Sequence, residues 1–590
     1  MAQVTTEPAI PNAGATVKLI YDASKGTTGL KDCNCDVYIH IGAVTAGPTS
    51  TTWNIVPFQW GTAATAAKMT KVAGQTNIYT YELTPNSFFT NPNNLAIYRL
   101  GLVFRNADGT KEGKTTANGD FFVDLAQGFD VKFTAPQAAG SISFEVGQQY
   151  TFKASATEAA NLSMELDGQK VAEASNALEL TYNYTATKAG NYKLTVKAVK
   201  GTTQDTQTLD IVVFTPAEVA PLPAGAKLGI NYLSTTEVIL ALQAPGKSIA
   251  HVIGDFNDWK VLPEYQLKKT TDGTIFWIKL SGLVPQKEYI FQYLVDGDIR
   301  IGDPYADKVS DPFNDQEIIT QNRHPGLLPY PAGKTEFQAS FLQTGQVPYA
   351  WKNTSFTKPK PEELVVYELL VRDFDTKRTY QAVIDRLDYL KELGINAIEL
   401  MPVGEFEGNL SWGYNPSFFF APDKYYGTKN DLKRLIDEAH GKGIAVIMDM
   451  VLNHAFGQNP MLRLYNDGDY GAPTEDSPWF NRVAKHPYNV GYDFNHESEY
   501  TKSFVDSVNN YWLTEYKVDG IRFDLSKGFT QVNSGSNVNT WSQYDPSRVK
   551  IWKHIYDRIK ANHPDAYAVS YTHLRAHETG RNLVCRLLLE

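Results

Sequence analysis

"VDGIRFDLSKG", residues 518–528, is the stretch on which the reading of the C-terminal part of the chain turns. Alternation along a strand puts Val518, Gly520, Arg522 and Asp524 on one face, and Ile521 and Phe523 on the other. That describes a strand with helices outside it and a polar pair at the C-terminal end of its inner face. Outward from it, the same unit repeats. "LVVYELLV" (364–371), "INAIEL" (395–400) and "IAVIMD" (444–449) are continuous apolar runs, as expected of parallel strands covered on both faces. Between them lie helical patterns: "AVIDRLDYLKELG" (382–394), then "DLKRLIDEAHGKG" (431–443) with Leu432, Leu435, Ile436 and Ala439 on one face. A helix around "SFVDSVNNYWLTEY" (503–516) and one aligning Trp552, Ile555, Tyr556 and Ile559 complete the set. Four strand–helix units, and the start of a fifth strand at "DAYAV" (565–569), imply a doubly wound sheet or a (β/α)8 barrel. A complete barrel needs eight.

The first 360 residues follow a different rhythm. "DVYIHI" (36–41), "YTFKASA" (150–156), "LTYNYTA" (180–186) and "YKLTVKAV" (192–199) alternate, are rich in β-branched and aromatic residues, and end at Gly, Asn or Asp. They predict three β-sandwich modules near 15–130, 131–216 and 222–325, the second an immunoglobulin-like spacer. Pro-rich joints at 215–225, 324–334 and 358–363 divide the chain, so 326–361 reads as a linker and 362–568 as the N-terminal half of the barrel.

Bulk properties exclude some functions. A net charge of −10 argues against a nucleic-acid-binding surface, and no apolar run of about 18 residues exists to span a membrane. Cys33 and Cys35 stand two apart, a poor spacing for an ordinary bridge, and read as buried or free thiols. The start "MAQVTTEPAI" lacks the basic and apolar regions of a secretion signal. Either the protein is intracellular or a leader has been removed and Met added.

Polar groups gather at the strand ends. Arg522 beside Asp524 favours a charged carboxylate, which suits a nucleophile rather than an acid. Alone, the pair reads sooner as a structural cap on a strand. It is accompanied by Asp449, Asn453 and His454 in "IAVIMDMVLNHAFG" (444–457), by Trp412 and Tyr414 in the Gly- and Pro-punctuated loop "LSWGYNPSFFF" (410–420), and by Asp493 and Asn495 in "VGYDFNHES" (490–498). All sit where βα loops converge, the side on which barrel enzymes place their chemistry.

In these motifs, over roughly 362–567, the chain resembles the α-amylase family of retaining glycoside hydrolases. The resemblance implies that Asp524 is the catalytic nucleophile with Arg522 beside it. It makes His454 a hydrogen-bond partner of the sugar at the cleavage point, Asp449 the organiser of its strand end, and Tyr414 the ring stacked under that sugar. It assigns Lys527 to the following subsites, and the adjacent Trp412 joins the substrate-binding set. Asn453 and Asp493 match calcium-binding positions, although Gly528 stands where many members carry another ligand. "AHVIGDFNDWK" (250–260) and "FQYLVDGDIRIGDPYAD" (291–307) resemble the sandwich that precedes the barrel in branching and debranching enzymes, where Trp259 has the shape to stack on glucan. The first module, with Trp53 and Trp60, resembles a starch-binding sandwich more faintly. The expected partner is thus an α-glucan, cleaved by double displacement outside the cell or in the periplasm. Debranching, branching and non-catalytic glucan binding stand as alternatives.

The resemblance also implies an acid/base glutamate soon after the fifth strand. Instead the chain reads "SYTHLRAHETGRNLVCRLLLE" (570–590) and loses the strand pattern; from about Ala568, over a tail of 569–590, it resembles the in-frame translation of a sequencing adapter. On that reading His573, His577, Glu578 and Cys585 carry no native chemistry. The chain then lacks its proton donor and half its barrel, so negligible turnover and an aggregation-prone open sheet are expected.

Overall fold

The computed structural model of the protein describes residues 3–115, 119–136 and 141–570. The segment holding His573, His577, Glu578 and Cys585 lies outside them. The described residues form two compact units, divided between Thr215 and Pro216, and are largely β-structure up to the parallel sheet described below.

The first unit holds two β modules. In the first, strands Val17–Asp22 and Ile78–Leu83 face strands Tyr38–Val44 and Arg99–Arg105 in a second sheet. Val17, Leu19 and Tyr21 alternate inward and meet Ile39, Ile41, Leu102 and Phe104, with the Tyr21 and Phe104 rings stacked at 3.8 Å. Pairing begins earlier than 15, because Val4–Glu7 joins the edge of Val17–Asp22. Trp53 is half-buried across a glycine pair: a Cβ on Gly42 or Gly101 would lie 2.6 or 2.2 Å from its ring. Trp60 is 41% exposed. Cys33 and Cys35 form a disulfide, against the expectation of thiols; the backbone at Asn34 sets their Cα atoms 5.2 Å apart, an ordinary bridging distance.

In the second module all six strands belong to one continuous sheet rather than two. Its long strands Gln149–Leu166 and Gln169–Thr185 pass register shifts near Ser155 and Ala160, where bulges bend the sheet. Ser141–Glu145 and Gln169–Thr185 lie at opposite ends of the strand order, yet the Phe144 and Tyr184 rings come within 5.7 Å. The sheet therefore wraps over its own core.

The second unit begins with a sandwich of two further sheets, which share one core with the parallel sheet that follows. The stretch 326–361, expected as linker, is not all linker: Ala339–Gln343 pairs antiparallel with Glu288–Val295. Nearby prolines mask a five-residue strand, ASFLQ, whose first four residues are buried. Trp259, considered above for stacking on glucan, is buried instead, and its indole N–H donates to Asp255 at 3.1 Å. The sandwich packs on the loops of the parallel sheet through Tyr305 against Phe420 (4.8 Å), and through Lys424, buried between Glu405 and Asp315.

Five parallel strands follow in consecutive order: β1 (Val366–Leu369), β2 (Ala397–Leu400), β3 (Ala445–Met450), β4 (Gly520–Phe523) and β5 (Tyr567–Ser570). Between them run α1 (Lys429–Gly441), α2 (Glu499–Glu515) and α3 (Pro546–Asn562). Their starts are built locally: Thr428 and Asp431 form a capping box on α1, and Asp545 caps α3 ahead of Pro546. Leu432, Leu435, Ile436 and Ala439 are buried as the spacing predicts. Phe523 faces outward onto Trp552 of α3 at 5.0 Å, which turns Arg522 to the inner side. Strand β1 stands at one end of the order, with Val365 and Val366 about half exposed. Among the described residues no helix is long and apolar enough to cross a membrane.

Candidate active site

Parallel register sets Asp449 of β3 directly beside Arg522 of β4. The guanidinium Nη1 donates to both Asp449 oxygens at 2.6 Å and to Asp524 Oδ1 at 3.1 Å. Asp524 follows the last residue of β4, held by its N–H to the Met450 carbonyl (3.0 Å), with its side chain 21% exposed. Immediately after it Leu525 adopts a left-handed conformation (φ 42°), which a non-glycine residue enters at a cost. The indoles of Trp552 and Trp541 hold that turn by donating to the Ser526 and Lys527 carbonyls at 3.0 and 3.1 Å.

Tyr414 arrives from the loop after β2. Gly413 (φ 92°) is required there, because a Cβ would lie 2.4 Å from the Pro402 carbonyl oxygen. The Tyr414 hydroxyl donates to Asp449 Oδ2 at 2.7 Å. Burial pushes the Asp449 carboxyl up to about 6, against the opposing pull of Arg522 and the Tyr414 hydroxyl. The Tyr414 carbonyl can only accept, so His454 Nε2, 2.8 Å away, carries the proton, and Nδ1 accepts from Asn453 Nδ2 at 2.8 Å. Burial lowers the His454 pKa, consistent with a neutral ring. Both ring nitrogens are thus engaged by the protein and the residue is 1% exposed. The imidazole orients Tyr414 here, rather than presenting a nitrogen to a sugar as expected.

Asp524, Arg522, Asp449, Tyr414 and His454 therefore form one connected group. Trp412 projects from the tip of the same loop, 55% exposed. The Lys527 ammonium lies 5.6 Å from the Trp541 ring centre. Sequence reasoning missed Glu399 on β2, whose Oε1 lies 3.7 Å from Arg522 Nε. It shares the inner face with Ala397, so the alternation in "AIEL" was the available signal.

Burial and the neighbouring Asp449 raise the Glu399 carboxyl from 4.5 to about 7, although Arg522 opposes them. A carboxyl harder to ionise in the folded state stabilises the fold fully below its unfolded pKa. That stability is lost as pH climbs from about 4.5 through 7. Glu399→Gln should flatten this decline, gaining on the order of 2–3 kcal/mol over wild type at pH 8 relative to pH 5 by denaturant titration. Parallel pH curves for the two proteins would show that the carboxyl is unperturbed.

Asn453 and Asp493 are buried, and one oxygen of each, Asn453 Oδ1 and Asp493 Oδ1, lacks a hydrogen-bond partner. Orphaned oxygens of this kind suit a hard cation. His486 Nε2 lies 3.5 Å from Asp493 Oδ1, and a Cβ on Gly528 would lie 3.1 Å from the same nitrogen. The missing side chain at 528 is what admits the imidazole. Among the described residues no three His, Cys, Asp or Glu side chains converge as metal ligands.

Residues 372–489 match the family model of the alpha-amylase catalytic domain. This span includes Tyr414, Asp449, Asn453 and His454 and stops short of Asp493, Arg522 and Asp524. Among curated proteins, the chain is 31% identical over 230 residues to a malto-oligosyltrehalose trehalohydrolase of Saccharolobus solfataricus, covering 38% of this chain and 36% of that one. It is 29% identical to the chloroplastic isoamylase 1 of Arabidopsis thaliana (48% and 40% covered). It is 26% identical to a 1,4-alpha-glucan branching enzyme of Clostridium perfringens (50% and 43% covered). The chain thus spans less than half the length of these relatives.

Proposed function

We propose that this chain is a member of the α-amylase family of glycoside hydrolases and supplies the nucleophile half of a retaining α-glucan hydrolase. The observation that carries the reading is the Arg522 bridge between Asp449, which also accepts from the Tyr414 hydroxyl, and Asp524, whose carboxylate stays partly exposed on the inner side of the sheet. In the first step an Asp524 oxygen attacks the anomeric carbon and a β-glucosyl ester forms. The bond to the leaving oxygen breaks, and that oxygen takes a proton from a carboxylic acid across the cleft. Water then attacks the same carbon, gives its proton back to that acid, and releases Asp524. Such a pair needs about 5–5.5 Å between carboxyls, and the family pattern draws the acid from just beyond β5. The five strands fit the first part of a (β/α)8 barrel, with the acid and the closing strands beyond it.

Tyr414 stacks under the reacting ring, Trp412 extends the apolar surface, and Asp449 fixes Arg522 and Tyr414 without touching the sugar. Lys527 enters this reading only as a contact in later subsites. Calcium would be held by Asn453 Oδ1 and Asp493 Oδ1, supplying positive charge to a buried carboxylate; His486 must then turn aside. The Cys33–Cys35 disulfide supports an oxidising, extracellular or periplasmic setting.

The relatives are named as a trehalohydrolase, an isoamylase and a 1,4-alpha-glucan branching enzyme, so linkage is tested directly. A form carrying the whole barrel should release products of retained α-configuration, followed by NMR on amylose and on pullulan. Inverted products would remove the double-displacement reading. Cleavage of pullulan but not amylose would assign debranching.

A further inference from the structure

We propose that the third β module braces the hairpin that presents Trp412 and Tyr414, with Glu317 of the module and Asn409 of the hairpin as positioning residues for those two rings. The proposal rests on the function argued above, in which both rings meet the substrate. The hairpin pairs Gly404–Phe406 with Pro416–Pro422, and its connecting loop, 407–415, carries the two rings.

The module grips this hairpin twice, each time from the short helix Asp315–Thr320 and the residue before it. At the base, Asp315 and Glu405 enclose the Lys424 ammonium, which lies 3.4 Å from Asp315 Oδ1. None of these three side chains is more than 7% exposed. At the tip, Asn409 is buried, and its Nδ2 donates to the Asn314 carbonyl at 3.2 Å and to Glu317 Oε2 at 2.8 Å. Between the two grips, Phe418 fills the space left by Gly302 of the module, where a Cβ would lie 3.2 Å from its ring.

The tip depends on that tie. Gly408 (φ 88°) and Gly413 (φ 92°) bracket it in left-handed conformations, and Leu410 and Trp412 are each 55% exposed. Among the described residues, the Asn409 amide makes the only hydrogen bonds that lead from 408–413 to any part of the chain outside the hairpin. The barrel takes over at Tyr414, whose carbonyl accepts from His454 and whose hydroxyl donates to Asp449. One end of the loop is therefore held by the catalytic group and the other by the module. A ring fixed before it meets its ligand avoids the cost of being ordered by it. A shift of about 1 Å in such a contact can weaken turnover by up to about a hundredfold.

Glu317 is suited to the task. It is exposed, so it contributes little to the core. Its second oxygen accepts from Gln321 Nε2 at 2.7 Å, one turn further along, which aims the carboxylate at Asn409.

The test is fluoride release from α-maltosyl fluoride by the 590-residue chain and its variants. Glu317→Ala should raise KM by about tenfold, hold kcat within about twofold, and keep the wild-type unfolding midpoint. Asn409→Ala should raise KM similarly, and the double variant should do no more than either single change, because both remove one contact. Glu317→Gln keeps an acceptor oxygen for Asn409 and should keep the wild-type KM. A wild-type KM in Glu317→Ala, or a KM raised equally in Glu317→Gln, would overturn the brace and leave the function standing. Absence of fluoride release by wild type would remove the functional reading and the brace with it.

Discussion

Asp524→Asn should reduce release of fluoride from α-maltosyl fluoride by roughly 10³–10⁵-fold, with the wild-type unfolding midpoint retained. Fluoride leaves without a proton, so this substrate tests the nucleophile without calling on the carboxylic acid opposite it. Amide for carboxylate changes one oxygen and leaves the volume intact. Arg522 keeps both of its 2.6 Å bonds to Asp449, and the backbone N–H of residue 524 keeps its bond to the Met450 carbonyl. The loss should therefore be chemical rather than structural. A smaller variant, Asp524→Gly, makes room for azide, which should restore fluoride release and give the azide product of inverted configuration. A variant at 524 that keeps a tenth or more of wild-type turnover would place the nucleophile elsewhere. No fluoride release by wild type would remove the catalytic reading of the described residues.

What sequence conveyed about this molecule was what depends on near neighbours and on period. The α1 face of Leu432, Leu435, Ile436 and Ala439 is a matter of helical spacing, and it is buried as that spacing requires. The side of β4 on which Arg522 and Asp524 project follows from alternation. Their meeting with Asp449 follows because parallel strands fed by equivalent helices end together. Contacts between distant segments were not legible. The strand Ala339–Gln343 is recognisable only when its partner Glu288–Val295 is in place. Lys424 reads as a surface cation until the sandwich closes over it with Asp315. The Cys33–Cys35 bridge depends on the backbone angles of Asn34, which residue spacing does not reveal. The direction of the His454 ring was likewise not legible. Which way an imidazole turns depends on the Tyr414 carbonyl and Asn453, two groups that its own strand does not fix.

Arg522→Met should be the most destabilising single change in the site. The guanidinium is 7% exposed and bonds Asp449 and Asp524, with Glu399 at 3.7 Å. Removing it leaves three carboxyls facing one another without their cation. Breaking a buried pair by deleting one partner costs about 3–5 kcal/mol, which should lower the unfolding midpoint of this unit by on the order of 5–10 °C. The loss should be largest at pH 8 and shrink as pH falls, because burial already raises the Asp449 and Glu399 carboxyls. Protonation below about pH 5 removes the repulsion that the arginine had cancelled. Arg522→Lys keeps the charge but not the forked geometry that serves two carboxylates at once, and should recover only part of the loss. The double variant Asp449→Asn, Arg522→Met should cost less than the sum of its two single changes, since each single change strands the other's partner. Strict additivity at pH 8, or a loss independent of pH, would mean that Arg522 acts by filling space, and the nucleophile would then need another source for its orientation.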